Sequence, residues 1–266
     1  MNAIGNLIKM KTHHENPVVY QLELGGSTIS LNELIGKNIR FEFQNEINCL
    51  SCGRRTKKSF AQGYCYPCFI SIPETEECVL RPELCLAHEG IARDMEYAQK
   101  HCLNDHFVYL AVSSGLKVGV TRSSQIPTRW IDQGAIRAIK LARTPNRYTA
   151  GLIEVALKRN MADKTNWRNM LTNKIDDLVD LLVEKNKVIN LLNSDLKIYR
   201  DSDDQVYVFH YPVNEYPQKV SSLNFDKTQV IEGVLQGIKG QYLIFENNEV
   251  INIRKFGGYK VLFKAN

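Results

Sequence analysis

Two short cysteine pairs, Cys49-Leu50-Ser51-Cys52 and Cys65-Tyr66-Pro67-Cys68, stand twelve residues apart in this chain of 266, and no other feature constrains its fold as tightly. Each CxxC turn holds two thiolates about one metal radius apart, and two such turns complete a tetrahedron around one Zn²⁺. A soft, fourfold thiolate set favours zinc over magnesium or calcium. The bland alternative is four unrelated buried cysteines, and another is a redox CxxC; two pairs at this interval read instead as a zinc-ribbon-like module. A closed four-sulfur site has no open position, so its role is structural. Gly53 and Gly63 supply the backbone freedom such knuckles need. Arg54, Arg55, Lys57 and Lys58 between the pairs are candidate phosphate contacts, or simply offset the negative charge of the cluster.

The remaining cysteines follow closely. Cys78, Cys85, His88 and Cys102 would make a second, Cys3His zinc site, with Cys102 preferred over His101 as the last ligand. Against this, cysteine often serves as a small buried hydrophobe, and lone histidines are common on surfaces. The chain shows no signal-peptide core and no apolar run of membrane-spanning length, so a soluble cytoplasmic protein with reduced, metal-binding thiols is expected rather than a disulfide framework.

Hydropathy and turn signals divide the chain into five segments. Residues 1–48 read as strands, including Val18–Leu24 and the alternating Asn38–Phe43. Residues 49–104 are the cysteine-rich region, with a helical stretch expected from about Arg81 to His101 and Pro82 at its start. Within residues 105–172, Phe107–Val112 and Lys117–Thr121 flank Ser113-Ser114-Gly115 as a hairpin. Pro127 sits where a helix begins, Ile136–Ala142 alternates as a strand would, with a helix as the alternative, and Thr149–Met161 is expected as a helix. Residues 173–204 are helical, with one long helix over about Lys174–Asp195 and an apolar stripe of Ile175, Leu178, Val179, Leu182, Ile189, Leu192 and Leu196. Residues 205–266 return to strands as a small β-domain, expected as a barrel that the N-terminal strands would complete, in which Tyr211, Tyr216, Tyr242, Arg254, Lys255, Phe256, Tyr259 and Lys260 are either core or nucleic-acid contacts.

Charge is unevenly spread. From Gly115 to Lys174 there are twelve Lys/Arg against three Asp/Glu, and from Asp176 to Asp204 eight acids against four bases. Such runs are often solvated faces. A local excess of nine positive charges also suits a polyanion, so a nucleic acid, DNA or RNA, is the expected partner, with Arg122 and Arg147 among its contacts.

Within that basic segment Phe107-Val108-Tyr109, Lys117-Val118-Gly119, Arg129 and Glu154 follow one another in an order that resembles the GIY-YIG nuclease superfamily. That family opens with a hairpin carrying its two name motifs, then places an arginine on the next helix and a glutamate on a later one. The cysteine pairs in front and the Gly237–Tyr242 segment behind make the whole resemble an uncharacterised bacterial family near that superfamily. The resemblance covers about 65 residues. It implies a small antiparallel sheet with helices, and hydrolysis of a phosphodiester. Arg129 would hold the phosphate, Glu154 would anchor Mg²⁺ or Mn²⁺, and Tyr109 would orient or deprotonate the water; Asn166 or Asn169 would stand for a downstream asparagine. Two positions depart: Phe107 replaces the glycine of the first motif, and Lys117 the tyrosine of the second. Lys117 must then act with a depressed pKa, or bind phosphate as a fixed charge. The expected fold class is α+β, comprising the zinc-ribbon-like module, the GIY-YIG-like domain, a helical segment and the C-terminal β-domain. The expected function is a metal-dependent nuclease; the alternatives are a non-catalytic nucleic-acid-binding protein or an RNA (tRNA) modification protein using the same platform.

Overall fold

Along the strand Asn38–Asn48, Ile39 and Phe41 are buried while Arg40 and Glu42 reach solvent on the other side, the alternation that a strand with one covered face requires. Phe41 lies directly opposite Phe263 of the C-terminal strand Tyr259–Ala265, their rings 4.8 Å apart, a cross-strand aromatic pair of the kind that pins register. On the outer face Arg40 meets its cross-strand neighbour Glu232 at 3.0 Å. The computed structural model describes residues 1–265, a mixed α+β chain in two units.

The first unit joins residues 1–70, 171–173 and 210–266. The strands Asn2–Asn6 and Tyr259–Ala265 pair antiparallel, next to Asn38–Asn48, and the sheet continues through Val230–Lys239, Tyr242–Phe245 and Glu249–Asn252. A separate three-stranded sheet holds Lys11–His13, Val19–Leu24 and Ser27–Ser30. The buried Gln241 amide donates to the Met10 carbonyl and accepts from the Met10 N–H, which fastens the chain's beginning to its end. Strands Asn2–Asn6 and Asn38–Asn48 thus share one sheet with strands from residues 210–266, in line with the expectation that N-terminal strands complete the C-terminal β-domain, whereas Val206–Val208 belongs to the second unit.

The second unit comprises residues 71–170 and 174–209. Its sheet runs Val206–Val208, Arg137–Thr144, His106–Val112, Leu116–Arg122 in space, all antiparallel. Every residue from His106 to Val112 is buried, because this strand is paired on both edges and covered on both faces. The helix Thr128–Asp132 follows the hairpin. The helix Arg147–Lys158, begun by the Asn146 side chain accepting from the Thr149 N–H at 2.8 Å, packs Ala150, Ile153 and Leu157 into the core.

Two helical expectations are corrected. Residues 81–101 do not form one helix: single turns at Pro82–Leu84 and Ala87–Glu89 precede a short helix Met95–His101 capped by Asp94. Residues 174–195 give only Leu181–Asn190, because Asp180 caps its start at Leu182 and Val183, and Asn193 begins a further turn Ser194–Lys197. Leu178, assigned to the apolar stripe, is 96% exposed, since no helix carries it inward. Among the described residues no helix is long and apolar enough to cross a membrane.

Gly151 marks a close approach. A Cβ there would stand 2.2 Å from the Glu83 backbone nitrogen, so the Pro82–Leu84 turn lies directly on the helix. Gly151→Ala gains about 1 kcal/mol of helix propensity but forces backbone apart, at a cost of about 1–3 kcal/mol or more. The net expectation is a lower urea midpoint for the full chain. An unchanged or raised midpoint would place the turn elsewhere.

Candidate functional site

The paired cysteines converge. Cys49, Cys52, Cys65 and Cys68 bring their four sulfurs within 4.8 Å of one another, and Cys52 Sγ lies 3.8 Å from Cys65 Sγ. A tetrahedron with Zn–S bonds of about 2.3 Å has an edge of about 3.8 Å, so these residues fit a zinc ion. Burial works against the Cys49 thiolate, but backbone N–H groups of Cys52, Cys65 and Ser51 directed at its sulfur outweigh it and bring its pKa to about 6. Arg54, Arg55, Lys57 and Lys58 are all exposed around this knuckle; Arg55 donates to the Asn45 carbonyl and Lys58 lies over the Phe60 ring.

A second cluster is made by Cys78, Cys85 and Cys102, all buried, with sulfurs within 4.8 Å of one another. Together the two clusters take up all seven cysteines of the chain. His88 does not join them: its ring stacks on Tyr148 at 4.2 Å and its Nε2 faces Glu89 at 3.7 Å. The expected Cys3His set is thus corrected to three sulfurs, because the turn Ala87–Glu89 carries His88 outward. Arg147 is corrected too. It is 8% exposed and spends its guanidinium on Cys78 Sγ at 3.4 Å and the His101 carbonyl at 3.1 Å, so it offers nothing to a phosphate. Arg122, half-buried at the hairpin's end, lies close enough for its charge to act on Tyr97, Arg147 and Cys102.

Tyr109, Lys117, Arg129 and Glu154 do come together, on the sheet's hairpin and the two helices that follow it. Tyr109 is paired with Gly119 across the hairpin, and a Cβ on Gly119 would stand 2.6 Å from the phenol oxygen; only glycine leaves room for the ring there. The phenol donates to Gln133 Oε1 at 2.8 Å, and the Lys117 amine donates to the same oxygen. Trp130, fully buried, meets the Tyr109 ring edge-on at 5.8 Å and so fixes the helix that presents Arg129. The backbone N–H of Val118 donates to the Ala162 carbonyl, which lays Asp163 alongside.

Burial sets the electrostatics of this group. Lys117 is 3% exposed; burial first, then the neighbouring Arg129 charge, pull its pKa down to about 7, with Asp163 and Glu154 opposing. Burial likewise raises Tyr109, against the pull of Arg129. Glu154 is raised by burial, then lowered by Lys158, while Asp163 and Glu83 push it up again. Lys158 stands 3.3 Å from Glu154 and 3.4 Å from Asp163. These carboxylate oxygens are the donor type a hard divalent cation takes, with Lys158 as the cation that holds them here. Asn166 is occupied otherwise, its side chain capping the short helix Trp167–Leu171 through the Asn169 N–H.

Gln133, Lys158 and Asp163 were missed by sequence reasoning. The first two had a signal: each lies four residues after Arg129 and Glu154 respectively, on the same helical face. Asp163 had none, because a backbone bridge between distant segments places it. The basic excess is also partly answered within the unit. Lys140 pairs with Asp203 at 2.8 Å, Arg143 with Asp105, and Arg137 reaches the Asp176 and Asp177 carbonyls. Arg159 and Lys164 remain exposed beside Glu154 and Asp163 in sequence.

A comparison with family models matches residues 36–261 to one described as a protein of unknown function (DUF2797). No curated protein matches the chain, and no solved structure does.

Proposed function

Because the chain belongs to this family of proteins of unknown function, we propose a function from the site itself: hydrolysis of a nucleic-acid phosphodiester by a GIY-YIG-like centre whose general base is Lys117. The observation that carries the reading is a buried lysine with a pKa of about 7, held beside Tyr109 on the single oxygen of Gln133. An amine that is half deprotonated near neutral pH keeps a lone pair for a water proton, which an ordinary lysine does not. Arg129 neighbours it with the forked donors that suit nonbridging phosphate oxygens. Glu154 and Asp163 would hold Mg²⁺ or Mn²⁺, which when bound supplies Lewis acidity to the phosphoryl group and stabilises the leaving oxygen. The order of hairpin, arginine helix and glutamate helix supports the resemblance, as does the glycine at position 119 under the Tyr109 ring. The departure at Lys117 then becomes a substitution of one base for another. The four-sulfur knuckle, with four exposed basic residues around it, would add a phosphate-binding surface and a zinc-stabilised ribbon.

One observation favours a second reading. Lys158 sits on the Glu154 carboxylate at 3.3 Å, and if it stays there when a nucleic acid binds, the same platform holds phosphate without cutting it, as in a binding or RNA (tRNA) modification protein.

The test is a cleavage and binding assay on the zinc-loaded full chain. It uses labelled tRNA, single-stranded RNA and branched DNA, with Mg²⁺ or Mn²⁺ and with a brief EDTA control. The nuclease reading expects metal-dependent scission that falls about 10²-fold or more in Glu154→Gln, with affinity kept within a few-fold. Tight, salt-sensitive binding without scission would leave the platform reading. Neither binding nor scission would sink both.

A further inference from the structure

Three sulfurs make an incomplete tetrahedron, and what surrounds the second cysteine cluster says what completes it. Cys78, Cys85 and Cys102 are each 5% exposed or less, and their sulfurs lie within 4.8 Å of one another. That span suits one ion and not a multi-iron cluster, whose ligands must stand around a larger body. Among the described residues no fourth His, Cys, Asp or Glu donor joins the set. All three cysteines line one cavity of about 150 Å³ that opens past Leu84, Leu86, Ala87, Ile91 and Ala92. One water takes about 30 Å³ of liquid volume, so there is room for a ligand of several heavy atoms.

Charge points the same way. A divalent ion with three thiolates carries one negative charge, and with an anionic fourth ligand it carries two. Arg147 donates to Cys78 Sγ at 3.4 Å and Arg122 stands near enough to act on Cys102, so two guanidiniums face the sulfurs. Of the two carboxylates in the lining, Glu77 is taken up by Arg81 at 3.0 Å and Glu76 accepts from the Arg93 backbone N–H at 3.2 Å. Apart from these and the cysteines the lining is aliphatic, which suits a compact, apolar-bodied donor.

We infer that Cys78, Cys85 and Cys102 hold a second zinc ion whose fourth position is open to the cavity, filled by water or hydroxide at rest and taken by a small exogenous thiolate. Zinc sites with three protein ligands and one exchangeable position are the reactive kind, whereas closed four-ligand sites are structural. The two clusters of this chain would divide those roles. The inference stands apart from the nuclease reading, since it uses none of Tyr109, Lys117, Arg129 or Glu154.

The test uses the full chain purified with zinc and without thiol reagents. Native mass spectrometry is expected to find two zinc ions per chain, and zinc X-ray absorption to find seven sulfurs and one light donor shared between them. Added 2-mercaptoethanol should replace the light donor by an eighth sulfur. In the cobalt-loaded chain the same titration should shift the visible bands saturably. Cys65→Ser should lose one metal and keep the thiol response; Cys85→Ser should lose one metal and the response with it. His88→Ala should keep both metals and the response. A single zinc per chain overturns the inference, and so does a light donor that the thiol does not displace, or loss of a metal in His88→Ala. If Cys85→Ser fails to fold, the titration of the unaltered protein decides alone.

Discussion

Lys117→Met should stabilise the protein below pH 7 and, on the proposed nuclease reading, should lower cleavage by about 10²- to 10⁴-fold, the usual worth of a general base. The two effects have one cause. Lys117 is 3% exposed and its pKa falls from 10.5 in the open chain to about 7 in the fold. Below about pH 7 both folded and unfolded chains hold the proton, and the fold bears the whole cost of a buried ammonium. Between about 7 and 10.5 the folded lysine has released its proton while the unfolded one keeps it, so stability rises with pH across that window. Above it the two states again agree. The rise is at most about 1.4 kcal/mol per pH unit. Methionine, of similar length, has no proton to lose. The stability gap between variant and wild type should therefore shrink by about 3 kcal/mol from pH 6 to pH 9, read as urea midpoints. Lys239, also buried with its pKa lowered to about 8, titrates in both proteins and drops out of the difference. A gap that stays constant would mean that Lys117 is an ordinary lysine, and undiminished cleavage would remove it as the base. In the wild type the cleavage rate should climb as pH passes about 7, where the base becomes free.

Local patterns carried part of this arrangement into the sequence. The hairpin was legible because both strands are short apolar runs around Ser113-Ser114-Gly115, and His106–Val112 and Leu116–Arg122 pair without a register shift. The first cysteine cluster was legible because a CxxC turn fixes its own geometry within four residues. Arg129 and Glu154 could be placed on helices, but that the helices converge on Lys117 depends on Trp130 packing against Tyr109 and on Gly151 accepting the Pro82–Leu84 turn. Those are contacts between segments far apart in the chain, and no local pattern encodes them.

The failures share that origin. Pro82 is a good first residue for a helix, yet residues 82–89 fold as two single turns ahead of the short helix Met95–His101, and the turns bring Cys78 and Cys85 to Cys102. His88 has ligand spacing from Cys85 along the chain but points away from it in space. The basic run from Gly115 to Lys174 and the acidic run from Asp176 to Asp204 read as two separate surfaces. In the fold Lys140 of the basic run meets Asp203 of the acidic one at 2.8 Å, so part of the charge expected to face a polyanion is neutralised within the unit, and Asp204 is met at 2.8 Å by the buried Lys185 of its own run. Lys117 gives the same lesson in the other direction: its type was visible, and its burial, on which its chemistry depends, was not.

Cys65→Ser should open the four-sulfur knuckle while leaving the sheet beside it standing. From residue 49 to residue 70 only Cys49, Gly63 and Cys65 are buried. Phe60 packs on Tyr66 and Phe69 at 5.5 and 5.7 Å, but that aromatic group is half open to solvent, and so short a segment cannot build a core to hold itself. What the backbone offers is a few turns, with the Cys49 N–H donating to the Arg54 carbonyl and the Leu50 N–H to the Gly63 carbonyl, and a two-residue pairing of Arg55–Thr56 with Ile47 and Asn48, beside one bond from the Ser59 hydroxyl to the Gly257 carbonyl. A metal held by the four sulfurs would supply the rest, since structural zinc sites contribute about 10–16 kcal/mol of apparent folding free energy at neutral pH. The sheet has its own support. Phe41 and Phe263 are wholly buried in it, and Asn6 holds Asn48 at 2.8 Å and the Gly258 carbonyl at 2.7 Å, so the boundary between what unfolds and what stays falls at Asn48. Arg54, Arg55, Lys57 and Lys58 then become a built-in probe. In Cys65→Ser, or after long chelation of the wild type, trypsin should cut among them on the order of 10²-fold faster, while the strands Asn38–Asn48 and Tyr259–Ala265 remain protected from hydrogen exchange. Slow cutting after the metal is gone would show that the knuckle stands without it. Loss of protection throughout the sheet would show that the metal stabilises the whole first unit and not only its knuckle.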